Sequence, residues 1–346
     1  MFKFLPDFGA NRCIGIDLGT VNTLVYSKKH QRIILNEPSI LQINSETGKI
    51  EKIGNEAKEA AGRESHSIKI VKPLNEGVIA DFDLTVKMIE FFIKRACGKN
   101  TFVKPAVMIC VPVDVDEVER KAVKDAAKRA GARSAGVIDE ARAAAIGAGI
   151  DIGAAEGNMI VDIGGGSTDV AVVSMNDIVS STTMRVAGNN IDRDILRYCK
   201  TNWNLQLSDN EAERVKIRLA TAIEPRDEDD DEMLVKGLDM NAGKPKEITL
   251  TSKEVYSAIK GTLDEIVNAI NGVLRRTPPQ LSADLIDNGI VLAGGGALIK
   301  NLDELVHIET GLPVRVADNP LECVVRGAGL ALDKMDVLRN IDKVTN

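Results

Sequence analysis

An internal repeat constrains the fold of this 346-residue chain more than any other feature. The segments CIGIDLGTVNTLVYS (13–27) and NMIVDIGGGSTDVAVVS (158–174) each contain Asp, an aliphatic residue and Gly, with Thr four positions after the Gly. Apolar β-forming residues lie on both sides of each glycine turn, which predicts a strand, a tight turn and a second strand. The turns at Gly19 and Gly164 are 145 residues apart, about one domain length. We therefore predict two halves of related fold, each containing a glycine hairpin of a size that suits a phosphate group.

The composition excludes several classes of protein. Hydrophobic residues make up 44% of the chain and charged residues 27%, which excludes a disordered, collagen-like or small disulfide-stabilised protein. The net charge of −7 gives no overall attraction to nucleic acid, so we predict no nucleic-acid partner. No signal peptide or membrane-spanning segment is predicted, because the apolar stretches are short and rich in glycine.

The five cysteines are widely spaced and form no C-x-x-C pair, which is typical of reduced core residues in a cytosolic protein. The three histidines lie in no zinc-binding pattern, so a zinc site is not expected. The acidic segment EPRDEDDDE (224–232) lacks the spacing of a calcium loop, and we predict a solvated loop there.

Apolar periodicity predicts helices between the two hairpins and after them. These helices cover 83–97, 116–130, 140–149, 208–222 and 252–276. Ser208 and Glu211 match a capping box at the start of the fourth helix. Short apolar strands, such as 107–111 and 289–292, alternate with the helices, which predicts an α/β fold.

Three glycine clusters indicate a site for a phosphorylated ligand. They are Gly19-Thr20, Gly164-Gly165-Gly166 and Gly294-Gly295-Gly296. Glycine lets backbone N–H groups approach an anion closely, so two such hairpins can hold a polyphosphate from two sides. The third cluster is expected beside a nucleoside. A single cluster of this kind is more often a tight turn, and it is the matched pair followed by the third cluster that favours binding.

Asp17 and Asp162 occupy equivalent positions in the repeat. Carboxylates beside bound phosphate would repel it unless a cation lay between them. We therefore predict Mg²⁺ held through water, since this ion keeps much of its hydration and uses few protein carboxylates. The alternative is that each aspartate only closes its turn.

Other nucleotide and hydrolase motifs are absent from the sequence. It contains no G-x-x-x-x-G-K-[ST] and no G-x-G-x-x-G after a strand, which argues against a P-loop protein and a nicotinamide dehydrogenase. It also lacks the G-x-S-x-G turn of α/β-hydrolases.

The glycine hairpins and the late GGGA resemble those of the superfamily that contains actin, sugar kinases and DnaK-type ATPases. The segments DLGTVNTLVY, KPLNEGVIADF, TPPQLSADL and GIVLAGGGALIKNLDEL are similar to the MreB family of bacterial actin homologues, and the similarity spans nearly the whole chain. The resemblance implies an α/β, actin-like fold: two duplicated ribonuclease H-like domains around a nucleotide cleft, each with a smaller subdomain. The implied boundaries are 1–32, 66–150 and 318–346 for the first large subdomain, 33–65 for its small subdomain, 151–185 and 248–317 for the second large subdomain, and 186–247 for its small subdomain.

The resemblance also implies the site residues, with ATP and Mg²⁺ as cofactors. It assigns Gly19, Thr20, Val21 and Asn22 to the first phosphate loop, Gly164, Gly165, Gly166 and Ser167 to the second, Glu213 and Lys216 to ribose and adenine, and Gly294, Gly295, Gly296 and Ala297 to the adenine side. Glu140 stands where the family places the carboxylate that orients the attacking water, with Ser167 as its catalytic partner. From the residues alone, Glu213 and Lys216 also fit an i,i+3 ion pair on one helix face.

Three departures from the family pattern bear on catalysis. Asp139-Glu140-Ala141 replaces the usual Glu-Glu-Pro, Ser167 replaces Thr, and Gly188-Asn189 replaces Gly-Asp. Serine retains the hydroxyl group but lacks the methyl group that restricts the threonine rotamer. We therefore expect slow hydrolysis of ATP.

The resemblance implies a filament-forming cytoskeletal protein that organises cell-wall synthesis and rod shape. Its implied partners are further copies of itself in paired protofilaments and cell-wall elongation proteins such as MreC and RodZ. The implied location is cytoplasmic, peripheral at the inner face of the cell membrane. The expected membrane contacts are Phe2, Phe4, Leu5, Phe8, Phe102 and Val103, which are apolar residues at the N-terminus and in one loop. The alternative function is a small-molecule kinase of the sugar-kinase type; a DnaK-type chaperone would need a further peptide-binding domain.

Overall fold

The structure is a computed structural model that describes residues 13–59, 66–75, 78–98 and 104–332. The chain divides into two compact units. Unit 1 contains the described residues of 1–154, 175–177 and 321–346, and unit 2 contains residues 155–174 and 178–320. The predicted membrane contacts Phe2, Phe4, Leu5, Phe8, Phe102 and Val103 lie outside the described residues.

Strands and helices alternate along both units. The first part of the chain forms β1 (Cys13–Leu18), β2 (Asn22–Ser27), β3 (Arg32–Pro38), β4 (Leu41–Asn44), β5 (Ile50–Ile53), α1 (Asn55–Lys58), β6 (Ile68–Val71), β7 (Leu74–Asn75), β8 (Val78–Ile79), α2 (Phe82–Cys97), β9 (Ala106–Val111), α3 (Glu117–Arg129), β10 (Ser134–Asp139) and α4 (Glu140–Gly147). The remainder forms β11 (Asn158–Ile163), β12 (Thr168–Ser174), β13 (Asp177–Met184), α5 (Gly188–Trp203), β14 (Leu205–Gln206), α6 (Asp209–Leu219), β15 (Glu232–Asp239), β16 (Lys244–Thr251), α7 (Ser252–Arg276), α8 (Pro279–Asn288), β17 (Ile290–Ala293), α9 (Leu302–Thr310), β18 (Val314–Val316) and α10 (Cys323–Ala331).

The main sheets of the two units have the same construction. The sheet of unit 1 has the strand order β10-β9-β1-β2-β3, in which β1 is antiparallel to β2 and parallel to β9. The other sheet has the order β13-β12-β11-β17-β18, in which β11 is antiparallel to β12 and parallel to β17. The repeat therefore predicted two related halves correctly.

Smaller sheets accompany the main ones. In unit 1, β4 pairs antiparallel with both β5 and β6. In unit 2, β15 pairs antiparallel with both β14 and β16. The division into four subdomains with the boundaries given above remains a prediction.

The predicted helices are present, and two of them end early. The helix α7 has the predicted bounds, and α3 begins with a capping box between Asp116 and Glu119. The helix α4 ends at Gly147 rather than at Gly149, which adopts a left-handed φ of +80°. The helix α6 ends at Leu219 rather than at 222, because the following backbone is extended and the N–H of Ala222 donates to the Lys300 carbonyl at 2.8 Å.

Aliphatic residues form most of the two cores, in a chain with only 3% aromatic residues. Phe92 is fully buried in unit 1 beside Met88 and Ile89 of α2, and the sheet residues Ile16 and Ile109 complete that core. In unit 2 the sheet packs against the buried face of α7, and the cluster includes Val161, Val170 and Ile266. These cores fix the strand ends from which the glycine turns project.

Glycines bring α10 very close to its neighbours within unit 1. A Cβ atom at Gly147 of α4 would lie 1.9 Å from the carbonyl oxygen of Cys323, and one at Gly327 would lie 1.8 Å from that of Ala143. A Cβ atom at Gly15 of β1 would lie 2.6 Å from the Gly329 nitrogen. This contact holds α4 and β1 in a fixed arrangement.

The cysteines and the acidic segment agree only in part with expectation. All five cysteines are free; Cys110, Cys199 and Cys323 are buried, whereas Cys13 and Cys97 are half-buried. The acidic segment forms a short 3₁₀ turn, Asp227–Asp229, and Asp230 accepts a hydrogen bond from the backbone of Lys253 at 2.9 Å. The segment is thus attached to the start of α7 and is not solely a solvated loop. Within the described residues, no helix has the length and apolar character needed to cross a membrane.

Candidate functional site

The first glycine hairpin, β1 to β2, turns at Gly19-Thr20-Val21. Gly19 is required there, because a Cβ atom would lie 2.6 Å from the Asn22 carbonyl oxygen. Ser39, just after β3, donates its hydroxyl to the Gly19 carbonyl at 2.6 Å and its backbone N–H to the Val21 carbonyl at 2.9 Å. Two of the turn's three carbonyl groups, those of Gly19 and Val21, are therefore held from one side.

Asp17 lies at the end of β1, one residue before the last. Its side chain is half-buried, and the loss of hydration raises the pKa of its carboxyl group from 3.8 to about 7. An ionised carboxylate is therefore costly here without a cation beside it. Parallel strands β1, β9 and β10 end at the same edge of the sheet, so Asp17 and Glu140 lie at that edge, two strands apart.

Glu140 is the first residue of α4 and is buried. The preceding Asp139 ends β10 and holds two arginines: its carboxylate contacts Arg120 of α3 and lies 3.6 Å from Arg142 of α4. Arg142 also lies 3.4 Å from Asp177. These ion pairs fix the start of α4, where the family pattern has a proline that this sequence lacks.

The second glycine hairpin, β11 to β12, is fastened to the start of α5. The N–H of Gly164 donates across the turn to Ser167 at 2.9 Å. The N–H groups of Gly188 and Asn189 donate to the carbonyls of Gly164 and Gly165 at 3.1 and 2.8 Å. The turn carbonyls therefore face α5, as the carbonyls of the first hairpin face Ser39.

The third glycine cluster, residues 294–297, packs against the end of β11. A Cβ atom at Gly294 would lie 2.3 Å from the Ile163 carbonyl oxygen and 2.7 Å from Asp162 Oδ1, and one at Gly296 would lie 2.2 Å from Ile163 Cγ2. Gly294 also has a left-handed φ of +79°. Glycine at these positions lets the third cluster lie directly beside Asp162, which is buried.

Lys216 of α6 contacts the start of α5 rather than its own helix. Its Nζ donates to the Gly188 carbonyl at 3.2 Å and to Asp192 at 2.8 Å. Burial raises the pKa of the Asp192 carboxyl group, Lys216 partly offsets this shift, and the nearby charge of Glu213 adds to it. Among the described residues, the ion pair of Lys216 is therefore with Asp192, and the i,i+3 pair with Glu213 is not formed.

Each unit thus assembles its own set of predicted site residues. Unit 1 brings together Asp17, the first turn and Glu140 at one sheet edge. Unit 2 brings the second turn, the third cluster and Lys216 together around the ends of β11 and α5. Sequence reasoning missed Ser39 and Asp192. The Pro38-Ser39 pair, at the point where β3 ends, was the available signal for Ser39, whereas Asp192 gave none.

The donors fit Mg²⁺ better than a softer metal. Asp17 and Asp162 supply carboxylate oxygens, which this ion prefers, and the desolvated Asp17 carboxylate favours a nearby cation. Within the described ranges, no three His, Cys, Asp or Glu side chains are grouped as a metal site. An ion held by either carboxylate would therefore keep most of its waters.

The repeated sheet and its glycine hairpins define an actin-like protein. The chain superposes on the double helical filament structure of MamK with a TM-score of 0.78 and 23% identity, over 92% of this chain and 98% of that one. It superposes on MreB5 of Spiroplasma citri bound to AMPPNP with a TM-score of 0.89 and 34% identity, over 98% and 99% of the two chains.

The sequence comparison identifies the family. The family model described as MreB/Mbl protein matches residues 11–340. The cell shape-determining protein Mbl of Bacillus subtilis is 45% identical over 94% of this chain and 97% of its own length. The cell shape-determining protein MreB of Escherichia coli is 43% identical over 94% of each chain. The chain belongs to the MreB/Mbl family.

Proposed function

We propose that this chain binds ATP through its two glycine hairpins and forms filaments that respond to the bound nucleotide. The observation that carries the proposal is the matched geometry of the hairpins. Each follows the central strand of a five-stranded sheet of its own unit, and the two sheets have the same construction. The carbonyls of each turn are held from one side, by Ser39 in one and by α5 in the other. Backbone amides arranged in this way suit a polyphosphate anion.

The nucleoside end of the ligand is proposed to lie in unit 2. Lys216 donates to Gly188, which in turn donates to the second turn, and the third cluster borders the same turn. A lysine and close-packed glycine backbone on two sides suit a ribose and a flat base. The MreB5 structure bound to AMPPNP supports a nucleotide of this class.

Hydrolysis is proposed to depend on Glu140 and Ser167. A buried carboxylate at the start of a helix orients a water molecule for attack on the terminal phosphate, and the hydroxyl of Ser167 holds that water. Asp17 and Asp162 would hold Mg²⁺ through water, and the ion would neutralise phosphate charge when bound. Serine in place of threonine and the missing proline both favour a low rate.

The cellular role is proposed from the relatives. The Mbl and MreB relatives are named as cell shape-determining proteins, and the MamK structure is a double helical filament. We propose paired filaments of this chain at the inner face of the cytoplasmic membrane, where they organise cell-wall synthesis with proteins such as MreC and RodZ. Many weak membrane contacts along one filament would together give firm membrane attachment.

Sedimentation and phosphate release test this proposal together. Purified protein with ATP and Mg²⁺ should pellet and appear as filaments by electron microscopy, whereas protein without nucleotide should stay in the supernatant. Slow phosphate release should fall to background in Glu140→Ala, with ATP still bound. Protein that turns over ATP only when a sugar is added, and never pellets, would contradict the proposal.

A further inference from the structure

Ser39 holds the first glycine turn through two different groups. The residue is fully buried just after β3, which hydrogen-bonds to β2. Its Oγ donates to the Gly19 carbonyl at 2.6 Å, and its N–H donates to the Val21 carbonyl at 2.9 Å. One residue from outside the hairpin therefore fixes two of the turn's peptide groups.

The orientation of those peptide groups determines where their N–H bonds point. A trans peptide is planar, so the N–H of each residue points opposite to the carbonyl of the residue before it. The Gly19 carbonyl faces Ser39, and the Thr20 N–H therefore points away from Ser39. The Val21 carbonyl also faces Ser39, and the Asn22 N–H is turned the same way. Both amides are directed to one side of the turn.

The hydroxyl network has a single consistent direction. Ser39 has one hydroxyl proton, and the Gly19 carbonyl can only accept it. In the 2.8 Å contact between Thr23 Oγ1 and Ser39 Oγ, Thr23 must then be the donor. The chain Thr23 to Ser39 to Gly19 is buried at both hydroxyls. Only the last bond of this chain, from Ser39 to the Gly19 carbonyl, contacts the turn itself.

We infer that Ser39 is a positioning residue that orients the Thr20 and Asn22 amides toward the phosphate chain of a nucleotide. The inference rests on the proposed function and adds to it a residue that acts through the backbone of the first turn. The ligand class is the polyphosphate itself, so the base and ribose are not involved.

The test compares Ser39→Ala with the control Thr23→Val, using two probes with Mg²⁺: ATP and inorganic tripolyphosphate. Thr23→Val removes a hydrogen bond from the same buried chain but leaves the Ser39 to Gly19 bond in place. Affinity for both probes should fall about fivefold to tenfold in Ser39→Ala, the loss expected when the hydrogen bond to the turn is removed. In Thr23→Val the affinity should stay within about twofold of wild type, because the Ser39 to Gly19 bond is retained. Thermal unfolding of both variants measures the common loss of stability. Ser39→Cys keeps a similar volume with a weaker donor and should give an intermediate loss.

The outcomes separate the inference from the proposed function. Ser39→Ala with wild-type affinity for both probes would overturn the inference alone, as would equal affinity losses in Ser39→Ala and Thr23→Val. Wild-type protein that binds neither probe would overturn the proposed function and the inference with it.

Discussion

Lys216 Nζ donates to the Gly188 carbonyl at 3.2 Å, and the Gly188 N–H donates to the Gly164 carbonyl at 3.1 Å. The lysine proposed to contact the nucleoside is therefore linked through one residue to the second phosphate turn. Asp192 holds the same ammonium group at 2.8 Å. If the lysine moved when a nucleotide binds, the hydrogen bonds through Gly188 would transmit that movement to the turn.

Removing this lysine should weaken nucleotide binding. We expect Lys216→Met to reduce ATP affinity about tenfold or more, because it removes the charged donor and leaves the half-buried Asp192 carboxylate without its cation. The matched control is Arg218→Met, which removes the same charge from an exposed position of α6. Isothermal titration measures both; equal losses in the two variants would mean that only net charge matters.

The ion pairs of Asp139 should support hydrolysis. We expect Asp139→Asn to lower the rate of phosphate release severalfold with ATP affinity nearly unchanged, since Arg120 and Arg142 would no longer fix the start of α4. Asp177→Asn removes the other partner of Arg142 at a carboxylate that is 64% exposed, and it should have little effect. Single-turnover phosphate release distinguishes the two, and an unchanged rate in Asp139→Asn would remove this role.

Stability without ligand should depend on Asp17 and pH. The pKa of Asp17 is raised from 3.8 to about 7 by burial, so the folded state retains a proton that the unfolded state has lost. The stabilisation contributed by the neutral Asp17 carboxyl group is fully present below pH 3.8 and is lost as the pH rises to about 7. In chelator and without nucleotide, Asp17→Asn should be more stable than wild type at pH 8, with a smaller difference near pH 4. Thermal melts across this range check the sign, and a constant difference would contradict it.

Close packing of α10 predicts a strong contrast between two glycines. Gly147→Ala should destabilise unit 1 by about 3 kcal/mol, because the new methyl group would meet the Cys323 carbonyl. Gly261→Ala, within α7 and with open space around its Cβ position, should stabilise the protein by about 0.5–1 kcal/mol. Denaturant unfolding measures both changes. If Gly147→Ala left the free energy of unfolding unchanged, α4 and α10 could move apart without loss of stability.

The sequence alone was enough to predict the features that are local or repeated. Residues 13–27 and 158–174 predicted both hairpins because strand, turn and strand are encoded within a few neighbouring residues. The end of α6 at Leu219 was missed because a backbone bond from Ala222 to the distant Lys300 decides it. Asp192 and Ser39 were missed because each acts on a residue far along the chain. Only Ser39 had a local signal, its position directly after Pro38.

A structure of this protein with AMPPNP and Mg²⁺ would show whether both glycine turns bind the phosphate chain. We expect one nucleotide whose phosphates accept hydrogen bonds from backbone amides of both turns, Gly19 to Asn22 and Gly164 to Ser167. A nucleotide whose phosphates contact only one of these turns, or neither, would contradict it.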